Sequence, residues 1–420
     1  MLRLAHTCHA VHNIALRYFV REVTITSRWS PESIRRFCEY MLNEPSRPGL
    51  LASLCIKSWP FDGERSLSCA DYTEGPSMLA QVIRRSHQLR TLSFGSIGYL
   101  LEDIPDLAEA IAASAALETI HLLAANGATL TVLSRAVSRP KVLTCRFDDS
   151  QSFPREELTA TLNKFSESLV SLSIGYHTDP LLAATGPSWP KLQELAISHG
   201  IISHVGVIFR AFPGIHTLRV GPKLAIFNRQ TVTTPPKLDF LSTDIPLPLQ
   251  GHVRRLTLRS PEMGYMAENT IHAYRPVILG SVSIPLYWNS ENETVKFLQL
   301  TFCDGRDAMQ IEDDIERCVD DQTTKYLVAI TITLPATFKD DGFTEWAHRR
   351  AFKLANRSPH LEHIGLNRAP AADTVYVPPS WHEPRFMWYR VIPRFSARSV
   401  ILLSEEEGTA VHEALLNLGK

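Results

Sequence analysis

The sequence predicts an α/β solenoid, a curved parallel sheet with helices along its outer side. Three observations predict it: a short apolar pattern recurs through the chain, many of its copies keep a fixed spacing, and the intervening segments carry helical apolar periodicity. At 420 residues, 44% hydrophobic and 21% charged, the chain has the apolar content of a folded protein. Its length suits either several domains or one elongated array.

The recurring pattern is an apolar residue followed by xxLxL. It first reads Leu51-Ala-Ser-Leu54-Cys-Ile56, then Leu89-Arg-Thr-Leu92-Ser-Phe94 and Leu117-Glu-Thr-Ile120-His-Leu122. A weaker copy follows at Pro140-Lys-Val-Leu143-Thr-Cys145. Then come Leu169-Val-Ser-Leu172-Ser-Ile174, Leu192-Gln-Glu-Leu195-Ala-Ile197, Ile215-His-Thr-Leu218-Arg-Val220 and an incomplete Leu238-Asp-Phe-Leu241. The last copies are Val253-Arg-Arg-Leu256-Thr-Leu258, Val295-Lys-Phe-Leu298-Gln-Leu300 and Leu361-Glu-His-Ile364-Gly-Leu366. Positions 169, 192, 215 and 238 are each 23 residues apart, as are 117 and 140. One copy says little, because any amphipathic segment can produce it. Copies in register are informative, and their period lies in the range of about 20–29 residues typical of leucine-rich repeats. One such unit cannot bury its apolar side alone, so the units must stack.

The connecting segments follow in order. Helices are expected over Ser77–Ser86, with Met78, Leu79, Val82 and Ile83 on one face, and over Asp106–Ala115, with Asp106 as N-cap. Further helices are expected over Thr129–Val137, Arg155–Phe165 and Val205–Phe212. Prolines 235, 236, 246 and 248 indicate a loop over 230–250. Beyond 258 the steps lengthen, which predicts larger units, with helices at Ala308–Val319 and Phe343–Ala355 and a strand at Tyr326–Leu334. The tract 369–393 is rich in proline and aromatics, and Glu405–Leu418 reads as a helix whose first turn holds three glutamates. The expected organisation is a helical segment at 1–25, the solenoid at 26–368 and a capping segment at 369–420.

Side chains alternate along a strand, so the residues between the leucines should line the concave face. This nominates His121, Arg146, Ser173, Glu194, Ser198, Thr217, Arg219, Arg255 and Arg259 as ligand-binding residues. Arginine pairs bidentately with carboxylate and phosphate, which points to an acidic or phosphorylated ligand. Asp148, Asp149 and Glu194 are the competing intramolecular partners.

The first 25 residues carry a helical apolar stripe that turns into a strand at Arg21-Glu-Val-Thr-Ile25. The string LRLAHTCHAVHNIALRYFVREVTI resembles the second half of an F-box, with Leu2, Leu4, Cys8, Val11, Ile14, Leu16 and Phe19 in the family's apolar places. With the repeats, the chain resembles F-box proteins with leucine-rich repeats, in the divergent form common in basidiomycete fungi. The family's leading Leu-Pro segment and first amphipathic helix have no counterpart here, so a partial F-box is expected. The resemblance implies a substrate-recognition subunit of a cullin-RING, SCF-type ubiquitin ligase. Leu2, Leu4, Cys8, Val11, Leu16 and Phe19 would meet a Skp-type adaptor, and the concave face would hold a protein substrate. The alternative is a free-standing leucine-rich-repeat scaffold that does not contact the adaptor.

Other classes find little support. A net charge of -1 argues against a general nucleic-acid-binding surface. There is no apolar run of 18 residues and no signal-peptide core, so an intracellular protein, cytoplasmic or nuclear, is expected without a membrane partner. Seven widely spaced cysteines fit reduced thiols. No GxSxG, GxxxxGK[ST] or strand–GxGxxG–helix motif is present, so neither an enzyme nor a cofactor is expected. His6, His9 and His12 read as the polar side of a helix and His360 and His363 as part of a repeat strand, so no metal site is assigned.

Overall fold

The computed structural model describes residues 18–26, 28–57, 69–95, 97–147, 155–175, 189–228, 238–259, 264–282, 293–302, 308–319, 325–338, 342–369, 386–393 and 398–420. These form an α/β structure whose strands are mostly parallel, in two compact units. The first is built on the chain up to Ser203 with Val207–Ile215 and Lys223–Phe227; the second on His204–Gly206, His216–Pro222 and the chain from Asn228 onward.

In the first unit the strands are β1 (Glu22–Ile25), β2 (Ser53–Ile56), β3 (Thr91–Phe94), β4 (Thr119–Ala125), β5 (Val142–Phe147), β6 (Ser171–Gly175) and β7 (Glu194–His204, through its residues up to Ser203). Each pairs in parallel with the next in chain order. The register aligns Val23, Leu54, Leu92, Ile120, Leu143, Leu172 and Leu195 in one row, and all are buried. The hydrogen bonds at the strand entrances repeat as well. The Ala52 carbonyl accepts from the amides of Arg90 and Thr91, Arg90 from Glu118 and Thr119, Glu118 from Lys141 and Val142, and Lys141 from Val170 and Ser171. This doubled acceptor recurs once per strand-to-strand step and fixes each strand against its predecessor. The structural repeat is thus visible in the backbone, independently of the side-chain pattern.

The helices of this unit are α1 (Pro31–Leu42), α2 (Cys69–Arg85), α3 (Gly98–Asp103), α4 (Pro105–Ala113), α5 (Gly127–Arg135) and α6 (Arg155–Asn163). They bury apolar stripes such as Leu107, Ala110 and Ile111. Local chemistry sets their starts. Ser30 caps α1, with Pro31 at the first position, and Asn126 forms a reciprocal capping box with Thr129 on α5. The expected Asp106 cap is corrected: α4 begins at Pro105, Ile104 stands at the cap, and Asp106 lies in the first turn. Pro105 has the φ angle a first helical turn needs and no amide to satisfy there, so it takes that place. A further helix, α7 (Gly206–Ala211), follows β7.

The second unit contains β8 (Thr217–Asn228, through its residues up to Pro222), β9 (Phe240–Thr243), β10 (Arg255–Leu258), β11 (Ile278–Ser281), β12 (Phe297–Thr301), β13 (Ala329–Leu334) and β14 (His363–Arg368), again parallel and in chain order. β15 (Met387–Ile392) and β16 (Ser399–Leu402) then continue antiparallel from β14. Leu218, Leu241, Leu256, Leu279, Leu298, Ile330 and Ile364 form the buried row. α8 (Gly264–Tyr274) packs on β10, and α10 (Phe343–Arg357) packs on β14, β15 and β16. α9 (Ala308–Cys318) is tied to α10 by the buried Arg350, which reaches Glu312 at 3.0 Å.

The last helix, α11 (Glu405–Leu416), is started by a Ser404–Glu407 capping box. It lies on the sheet face opposite α10. Trp388 and Tyr389 point to opposite faces of β15: Tyr389 meets His348 of α10, while Trp388 meets His412 of α11. Leu415 packs with Ile278, Phe297, Ala329 and Trp388, and Val411, Leu416 and Leu418 join them. Gly408 permits the close approach, since a Cβ there would lie 2.8 Å from the Trp388 ring.

Candidate functional site

The predicted ligand-binding residues fall in two groups, one on the open face of each unit. In the first, His121, Thr144 and Ser173 share a row across β4, β5 and β6. His121 Nδ1 lies 2.9 Å from Thr144 Oγ1, and burial holds the imidazole pKa below its ordinary value. Arg146 packs along Gly175, where a Cβ would meet the Arg146 stem at 3.4 Å and Ser198 Oγ at 2.6 Å. Glu194 is exposed and accepts from Ser171 at 3.2 Å, and Ser198 donates to the Ile174 carbonyl at 3.4 Å. This face is small-chained, polar and half-buried. Asp148 and Asp149, named as partners for the arginines, lie outside the described residues.

The second group is more strongly built. Thr217 is buried beside His216, and Arg219 and Arg255 both stack on the Phe240 ring, with guanidinium carbons 5.1 and 4.8 Å from its centroid. Arg259 is neutralised locally: it donates to Asp244 at 2.7 Å and to the Val220 carbonyl at 3.0 Å. Burial raises the Asp244 pKa while Arg259 opposes the rise. Arg254 is also paired, forked onto Asp239 and bonded to the carbonyls of Leu416 and Leu418. Its hydrogen bonds hold the Asp239 carboxyl below the usual range.

Arg255 differs from its neighbours. Its Nη2 donates to the Gln299 amide oxygen at 3.3 Å, and its Nε is shielded from solvent with no hydrogen-bond partner. Burial, then repulsion from Arg219 and Arg254, shifts its pKa downward, while Asp239 opposes the fall. Beside it, Thr257, Gln299, Thr331, Thr333 and Phe386 line a pocket of about 190 Å³.

The chain matches no protein-family model and no curated protein sequence.

Other nominated residues sit elsewhere. Leu2, Leu4, Cys8, Val11 and Leu16, like His6, His9 and His12, lie outside the described residues. Phe19 is in a helical turn ahead of β1 and is exposed, as is Tyr18. His363 is on β14 with its Nδ1 buried and unpartnered, and His360 is exposed before it. Among the described residues, no three His, Cys, Asp or Glu side chains gather as metal ligands, and no helix is long and apolar enough to cross a membrane.

Sequence reasoning missed Phe240, Gln299 and the cover over β11–β13. Phe240 was recoverable from the incomplete copy at 238–241, because the register pairs it with Thr217 and Arg255. Nothing local to Glu405–Leu416 indicates which sheet face it covers.

Proposed function

We propose that the chain is a non-enzymatic protein-binding receptor built as a leucine-rich-repeat solenoid. One observation carries the reading: each unit aligns small polar and arginine side chains in rows on the face opposite its apolar core. Backbone pairing holds such rows rigid, which lowers the entropy cost of engaging an extended surface. The second unit restricts that face, because α11 already occupies it over Ile278, Phe297 and Ala329. The ligand-contacting strip there is β8–β10 and the outer row of Thr257, Gly280, Gln299 and Thr331.

We further propose, from the resemblance of residues 2–25, that the receptor is a substrate-recognition subunit of an SCF-type ubiquitin ligase. The exposed Tyr18 and Phe19, just ahead of β1, support an adaptor contact at this end. The test is direct binding of the purified chain to a Skp-type adaptor, with Phe19→Ala beside it. Saturable binding weakened by the substitution is expected. Absence of binding removes the ligase assignment and leaves a free-standing interaction scaffold.

A further inference from the structure

Among the described residues of the second unit, the carboxylates that bond arginines of the open face are committed. Asp239 belongs to Arg254 and Asp244 to Arg259. Arg255 is left with an amide oxygen, an aromatic ring and a shielded Nε. Arg255 is half-buried, and the one carboxylate close enough to favour its charge, Asp239, is forked onto Arg254, so the guanidinium keeps donor capacity for a charge supplied from outside. The adjoining pocket adds the hydroxyls of Thr257, Thr331 and Thr333. Its volume of about 190 Å³ suits one side chain and falls below the range of about 300–1,000 Å³ typical of small-molecule sites. α11 closes the inner row beside it, so an extended ligand reaches it from the β8–β10 side.

We infer that this pocket takes the anionic side chain of a peptide segment, a carboxylate or a phosphorylated hydroxyl, with Arg255 as its charge partner. The Arg219–Phe240–Arg255 stack presents the guanidinium, and the threonines donate to the remaining oxygens. The inference rests on the open face being the protein-binding face.

The experiment is a randomised-peptide array with a fixed central Glu, phosphoserine, Ser or Lys, probed with the full chain. Three forms are compared: the native sequence, Arg255→Gln, and Thr257→Tyr, which fills the pocket. The native chain should prefer the Glu and phosphoserine sets over Ser by roughly 10- to 100-fold, the effect of a charge-assisted hydrogen bond. Arg255→Gln should abolish that preference. Its melting temperature should equal or exceed the native one, because the change removes an unbalanced charge. A preference that survives Arg255→Gln overturns the inference. A fall of several degrees in melting temperature also overturns it, by making Arg255 structural. Peptide binding without acidic preference, but blocked by Thr257→Tyr, overturns the inference and leaves the receptor reading intact. Binding that neither Arg255→Gln nor Thr257→Tyr alters overturns the receptor reading for this face. Complete competition by equimolar inorganic phosphate would mark a free-anion site and overturn the peptide assignment. The contrast between the Glu and phosphoserine sets identifies the source of the charge.

Discussion

Arg254→Met should destabilise the second unit by about 3 kcal/mol. The Arg254 side chain is 8% exposed and serves four acceptors: both Asp239 oxygens, one of them at 2.8 Å, and the carbonyls of Leu416 and, at 3.1 Å, Leu418. Methionine replaces the stem but none of the donors. The two carbonyls lose a charged donor at the C-terminal end of α11, at about 1–3 kcal/mol each. The Asp239 side chain is 41% exposed and regains water, so its share is discounted to about 1 kcal/mol or less. Urea unfolding followed by circular dichroism should show the midpoint falling by roughly 1 M, at a slope of about 2–3 kcal/mol/M. The adjacent Arg255→Met should leave the midpoint unchanged or raise it. The pH dependence gives a second readout. Asp239 is held below its unfolded value of about 3.9, so its contribution is present above that value and lost as pH falls through the folded one. Asp239→Asn should flatten that acid limb. A loss below about 1 kcal/mol for Arg254→Met, or equal losses for both arginines, would refute the distinction between the buried, carboxylate-paired Arg254 and the half-buried Arg255.

Three further outcomes follow from the same geometry. Leu172→Ala should cost about 2–5 kcal/mol, whereas Ser173→Ala, one residue on and on the other face, should stay within about 0.5 kcal/mol; chemical denaturation of both checks the strand's facing. Gly408→Ala gains up to about 1 kcal/mol of helix propensity but forces a contact at 2.8 Å on Trp388, costing about 1–3 kcal/mol, so thermal melting should show net destabilisation. Burial pushes the thiols of Cys38 and Cys145 up to about 12, so iodoacetamide at pH 8 should leave both unmodified in the native chain and alkylate both in urea, as read by peptide mass mapping.

The strand pattern was legible because the period of two in the side chains coincides with burial on one face. Leu92, Leu172 and Leu256 needed no tertiary information to be assigned inward. β11 escaped the pattern because its neighbours on both faces are covered: Ile278, Leu279 and Gly280 are all buried, which erases the alternation. The cover over Ile278 is α11, which lies far away in sequence. The candidate site was legible to the same extent. Arg219, Arg255 and Arg259 were nominated together by facing. Facing alone cannot separate Arg259, which finds Asp244, from Arg255, which finds no carboxylate among the described residues. That difference comes from the parallel register, which sets Phe240 and Gln299 around one guanidinium and Asp244 beside the other.

The claim that proteins bind through the open sheet face is tested most directly by site-specific photo-crosslinking in cells. One photoreactive side chain is placed at Ser173, on the open face of β6, and another at Arg135, exposed at the end of α5. The account predicts a discrete protein adduct from position 173 that is missing from position 135. The same adducts from both positions, or adducts from position 135 alone, would contradict it.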